Sequence, residues 1–133
     1  MGEVAGVCLD ATYCIDFLQG RDAAIAKARD LEGVHANLAI SVPAAMEVLL
    51  WGRRHGEKAL RRTLDLIERV EILNANLEVA QEASRLGLEC ERRGAMVPNM
   101  DLLIAATARL HHKILVTRDS DFHRVAGLTL ESY

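Results

Sequence analysis

Short apolar runs alternate with segments of helical periodicity along the whole chain, and no other feature narrows the fold so far. Val4–Leu9, Leu38–Val42, Val70–Leu73 and Ile114–Thr117 are short, aliphatic or β-branched, and read as buried strands, with Leu128–Leu130 as a fifth. Between them lie helical stretches. Ala11–Leu18 and Arg21–Leu31 are parted by Gly20, and Pro43 opens a helix to about Trp51 that Gly52 and Gly56 interrupt. Leu60, Leu64 and Ile67 share one face of the next helix. Asn76 caps a long helix through Arg93, with Ala80, Ala83, Leu86 and Cys90 inward and Gly94 at its end. Asn99 caps Met100–Leu110. Strands interleaved with helices predict a single domain over residues 1–133, with a mostly parallel sheet and helices on both faces.

Half of the residues are hydrophobic and 26% are charged, a globular balance that needs no staples at this length. The three cysteines (Cys8, Cys14, Cys90) form no CxxC pair and show no zinc-ligand spacing with the five histidines, so they read as buried, reduced thiols. No apolar run approaches the roughly 20 residues of a membrane span. Val4–Leu9 lies between Glu3 and Asp10 with no basic segment before it, which argues against a secretory leader and for a cytoplasmic protein. A net charge of −3 gives no global nucleic-acid footprint. If the chain handles phosphates, a cation or a local patch must neutralise them.

Four acids stand at strand ends or on inward helical faces, where Asp10, Asp101 and Asp119 also have ordinary readings as helix-cap, helix-start and turn residues. Asp10 ends the first strand and Asp119 follows the fourth, and in an open parallel sheet ligands bind beyond those strand ends. Glu47 lies in Ala44-Ala-Met-Glu-Val-Leu-Leu-Trp51, a helix otherwise apolar nearly all round, where a carboxylate needs a partner. Arg54 is the arginine that returns to its face, two turns away. Asp101 opens the helix Leu102–Ala108, where an acid also favours the helix dipole. Bare carboxylates in one place repel, and a hard divalent cation such as Mg²⁺ or Mn²⁺ makes such a cluster sensible.

The blocks "CLDATYCIDFL", "ISVPAAMEVLLWG", "PNMDLLIAATA" and "ILVTRDSDF" occur in this order along the chain. Together they resemble the PIN-domain ribonucleases, in particular the VapC-type toxins of prokaryotic toxin–antitoxin pairs. The resemblance spans nearly the whole chain and carries the family's four acids onto Asp10, Glu47, Asp101 and Asp119, with Asp121 flanking the last. It implies a three-layer α/β/α fold and Mg²⁺- or Mn²⁺-dependent hydrolysis of RNA phosphodiesters. It also implies homodimerisation and inhibition by a cognate antitoxin. In one place the chain departs from the pattern. Ala11-Thr12 stands where Thr-Asn or Thr-Ser is common, so Thr12 is left to offer the hydroxyl. Thr117 offers a second hydroxyl near the acids, and Arg118 a phosphate contact.

Residues 53 to 69 hold six basic side chains (Arg53, Arg54, Lys58, Arg61, Arg62, Arg69) against three acids, a run read first as a solvated helix face and second as a guide for phosphates. Two other classes compete with the nuclease. A phosphatase using Asp10 as nucleophile would carry a second aspartate at position 12, which is Thr12. A non-catalytic RNA- or protein-binding module would gain nothing from the acids.

Overall fold

The computed structural model describes residues 6–34 and 37–133. Five strands form one sheet: β1 (Val7–Leu9), β2 (Leu38–Ser41), β3 (Glu71–Leu73), β4 (Ile114–Val116) and β5 (Leu130–Glu131). Their order is β3-β2-β1-β4-β5 and every pairing is parallel. β1 is therefore central, in register with β2 (Cys8 against Ala39) and with β4 (Leu9 against Val116). Strand order reverses between β1 and β4, because the chain builds outward through β2 and β3 and then returns to the other side of β1. Val7, Cys8, Ala39, Leu115 and Val116 are fully buried, as strands covered on both faces require. The fold is the three-layer α/β/α arrangement that the sequence predicts. Val4 and Ala5 of the expected first strand lie outside the described residues.

Six helices connect the strands: α1 (Ala11–Leu18), α2 (Asp22–Val34), α3 (Val42–Arg54), α4 (Glu57–Glu68), α5 (Leu77–Arg92) and α6 (Asn99–Leu110). α1 to α4 pack on one another, α5 lies along α6, and α3 touches α6. Three details differ from the sequence reading. Gly52 does not interrupt α3 but lies buried inside it, where a Cβ would stand 2.7 Å from Thr63 Oγ1 and 3.2 Å from Leu60 Cα of α4. Its missing side chain is what lets the two helices close. The break comes at Gly56, whose φ of +100° suits glycine alone among common residues.

On α5 the inward positions are Val79, Ala83, Leu86 and Cys90, and Ala80 is exposed, one step off that stripe. Asn76 caps this helix as expected, accepting from the Val79 N–H at 3.1 Å. Asn99, in contrast, is the first residue of α6 and not its cap. Pro98 precedes it with φ −56° and ψ 146°, and its carbonyl accepts from Leu102 N–H to start the helix. All three cysteines are buried and free.

Candidate functional site

Asp10 follows β1 directly and caps α1, its Oδ1 accepting from the Ala11 N–H at 2.8 Å. Its other oxygen, Oδ2, accepts from Thr117 Oγ1 at 2.7 Å across the switch between β1 and β4. Thr117, one residue past β4, also accepts from the Asp119 N–H through the same hydroxyl at 3.0 Å. One threonine thus ties the loop after β4 to the acid at the end of β1. Asp10 is only 3% exposed, and burial pushes its carboxyl up to about 6. The hydrogen bonds from Thr117 and Ala11 oppose the shift, and the charges of Glu47 and Asp119 add to it.

Asp101 comes from the first turn of α6, while Asp119 caps a 3₁₀ turn (Ser120–Arg124) that contains Asp121. Asp119 Oδ1 accepts from the Asp121 N–H at 2.9 Å, so the turn brings both side chains to one place. Asp101, Asp119 and Asp121 each offer a carboxylate oxygen within 4.8 Å of the other two. Burial raises Asp101 to about 6, helped by repulsion from Asp119, Asp10 and Asp121. Glu47, half-buried on α3, is also raised, first by burial and then by Asp101. No ion pair to Glu47 forms among the described residues, and Arg53 and Arg54 are exposed. The raised acids Asp10, Glu47 and Asp101 therefore lie close to other carboxylates, although they come from the end of β1, from α3 and from α6. Oxygen-only donors at such spacing suit a hard divalent cation.

Residues 7–128 match the family model described as PIN domain. The chain belongs to the PIN-domain family. It is 28% identical over 130 residues to a Shigella flexneri protein named tRNA(fMet)-specific endonuclease VapC, covering 94% of this chain and 96% of that one. Two solved complexes contain similar chains. One is VapBC2 from Rickettsia felis bound to a DNA fragment from their promoter, with 26% identity, a TM-score of 0.81 and coverage of 96% of this chain and 98% of that one. The other is a toxin–antitoxin complex from Klebsiella pneumoniae, with 27% identity, a TM-score of 0.76 and coverage of 92% and 95%.

Within this PIN domain the sequence-derived residues are not all placed alike. Asp10, Thr117 and Asp119 are joined by hydrogen bonds, Asp101 joins Asp119, and Glu47 lies near enough to raise Asp10. Thr12 is half-buried in the first turn of α1. Asp121, read from sequence as a flanking acid, stands in the same oxygen triplet as Asp101 and Asp119. Arg118, read as a phosphate contact, has its guanidinium committed to Asp16, with Nε 2.6 Å from Oδ2. Sequence reasoning passed over Asp16 altogether. The signal was there in Cys14-Ile15-Asp16-Phe17-Leu18, an acid in an apolar stretch of helix.

Proposed function

We propose that this PIN domain is a Mg²⁺- or Mn²⁺-dependent endoribonuclease and the toxin of a VapBC-type toxin–antitoxin pair. The observation that carries the proposal is the convergence of Asp10, Glu47, Asp101, Asp119 and Asp121 at the topological switch of the sheet. The near full-length likeness to an endonuclease named for tRNA, and the likeness to chains of toxin–antitoxin complexes, support the substrate class and the setting.

Asp10, Asp101 and Asp119, with Glu47, are the residues that would hold the ion, and Asp121 is placed to join them. When bound, a divalent ion supplies charge stabilisation for phosphoryl oxygens and lowers the pKa of water. The chain's own groups do the rest. Asp10 is fixed by two donors and presents an oriented carboxylate. Thr117 sets the height of the Asp119 loop. Glu47 has no cationic partner among the described residues, so its carboxylate is left to face the ion. Thr12, at the first turn of α1, is assigned a hydroxyl contact to a phosphate.

For partners, the reading assigns RNA as substrate, a cognate antitoxin as inhibitor, and a second copy of the chain. A cavity of about 410 Å³ between α1, α2 and α4, lined by Tyr13, Phe17, Leu66 and Val70 with Arg62 and Arg69, offers a groove for an antitoxin segment. No helix among the described residues is long and apolar enough to cross a membrane.

The test is incubation of the purified chain with a cellular RNA pool, with Mg²⁺ or Mn²⁺ and with excess chelator, followed by sequencing of the new ends. Defined ends that vanish on chelation and return with added metal support the reading. Intact RNA in every metal, or cleavage that ignores the chelator, overturns it.

A further inference from the structure

Asp16 is 2% exposed in the middle of α1, where a lone carboxylate costs several kcal/mol. It is held by three hydrogen bonds and one further ion pair. Arg118 gives Nε to Oδ2 at 2.6 Å and Nη2 to Oδ1 at 3.3 Å, Tyr133 gives its hydroxyl to Oδ2 at 2.7 Å, and Arg21 Nε lies 3.3 Å from Oδ1. These partners hold its carboxyl below the usual range, the Arg118 hydrogen bond most of all. Arg118 stands between Thr117 and Asp119 in the chain, and Thr117 already binds Asp10 at the start of the same helix. The loop after β4 is therefore tied to α1 at two points, at Asp10 and at Asp16, roughly 9 Å apart along a helix rising 1.5 Å per residue. Together with the backbone bond from the Thr117 N–H to the Glu131 carbonyl at 3.0 Å, these two side-chain ties set the direction in which Asp119 leaves the loop, toward Asp101.

We propose that Asp16 is a positioning residue for the acidic site, acting through Arg118 to hold the Thr117–Asp119 segment in the geometry that binds metal. This rests on the metal-dependent nuclease reading and adds to it a residue outside the ligand set. An outer partner of this kind typically changes metal affinity or activity by about 10- to 100-fold when removed.

The experiment is Mn²⁺ titration of folded wild type, Asp16→Asn, Arg118→Gln and the double variant, with kcat and KM on RNA measured in parallel. Each single variant should weaken Mn²⁺ about tenfold and lower kcat with little change in KM. The double variant should be no worse than either single one, because both remove the same link. Lys27→Gln serves as the stability control. It breaks the 2.8 Å pair with Glu131, and should leave the Mn²⁺ affinity untouched. If Asp16→Asn does not fold, Arg118→Gln decides alone, since the Arg118 side chain is half exposed. Variants that melt lower but keep the wild-type Mn²⁺ affinity and kcat would overturn the proposal and leave the nuclease reading standing. So would a double variant whose losses multiply. A wild type that binds no Mn²⁺ would overturn both.

Discussion

Thr117 does two tasks with one hydroxyl, donating to Asp10 and accepting from the Asp119 N–H. Thr117→Val keeps the shape and removes both bonds, so it should lower stability by about 1–3 kcal/mol. It should also raise the Asp10 carboxyl further, because the Thr117 hydrogen bond is the main influence holding it down. Cleavage should fall with it, and Thr117→Ser should restore most of both, which melting curves and RNA assays would show. The raised acids set a pH dependence with a definite sign. Asp10 and Asp101 move from 3.8 to about 6 on folding, so the metal-free folded state binds their protons more tightly than the unfolded chain does. Their contribution to stability is complete below the unfolded value and is lost as pH rises through about 6. The metal-free melting temperature should therefore fall between about pH 4 and about pH 6, and Asp101→Asn should flatten that fall. A wild-type curve that rises through this window would contradict the shifts. At this scale the sequence was legible wherever an acid stood out from its local pattern, as Glu47 does on α3. Asp16 stands out in the same way, as an acid in an apolar stretch of α1, but its role was not legible, because its partner Arg118 lies 102 positions away.

Elements owe their legibility to local signals and their errors to contacts between elements. The strands, the Asn76 cap and the Gly94 stop were readable because the apolar run, the side-chain oxygen and the positive φ act within a few residues. Gly52 read as a helix breaker because glycine usually weakens helices, and nothing local shows that α4 presses against it. Gly52→Ala should cost about 1–3 kcal/mol, since the new methyl meets the Leu60 backbone and cannot be relieved by a side-chain rotation alone. Gly33→Ala on α2, where a Cβ meets nothing within 4 Å, should be neutral or slightly stabilising. Denaturant melts of the two variants separate the packing account from a general intolerance of helical glycines.

For the whole molecule, the alternation of strands and helices was enough to predict the parallel sheet, because βαβ connections leave few topologies open. The order β3-β2-β1-β4-β5 was not readable, since no local signal says on which side of β1 the fourth strand lands. That order is what sets Asp10 beside Asp119. Val42, Met46 and Leu50 recur on one side of α3 and remain exposed, with Leu64 exposed on α4. We expect this surface to be covered by a second copy of the chain. Sedimentation at micromolar concentration should show a dimer, and a strict monomer would remove the second copy from the account. If the converging acids form one divalent-cation site, melting of wild type and Asp101→Asn with and without Mn²⁺ will show it. Saturating Mn²⁺ at about 100-fold over its Kd should stabilise the wild type by roughly 2.7 kcal/mol. Without metal, Asp101→Asn should melt at or above wild type, because it relieves repulsion from Asp119, Asp10 and Asp121, and it should gain far less from Mn²⁺. An Asp101→Asn protein that melts well below wild type without metal, yet responds fully to Mn²⁺, would show that Asp101 only starts a helix and that the acids do not act as one site.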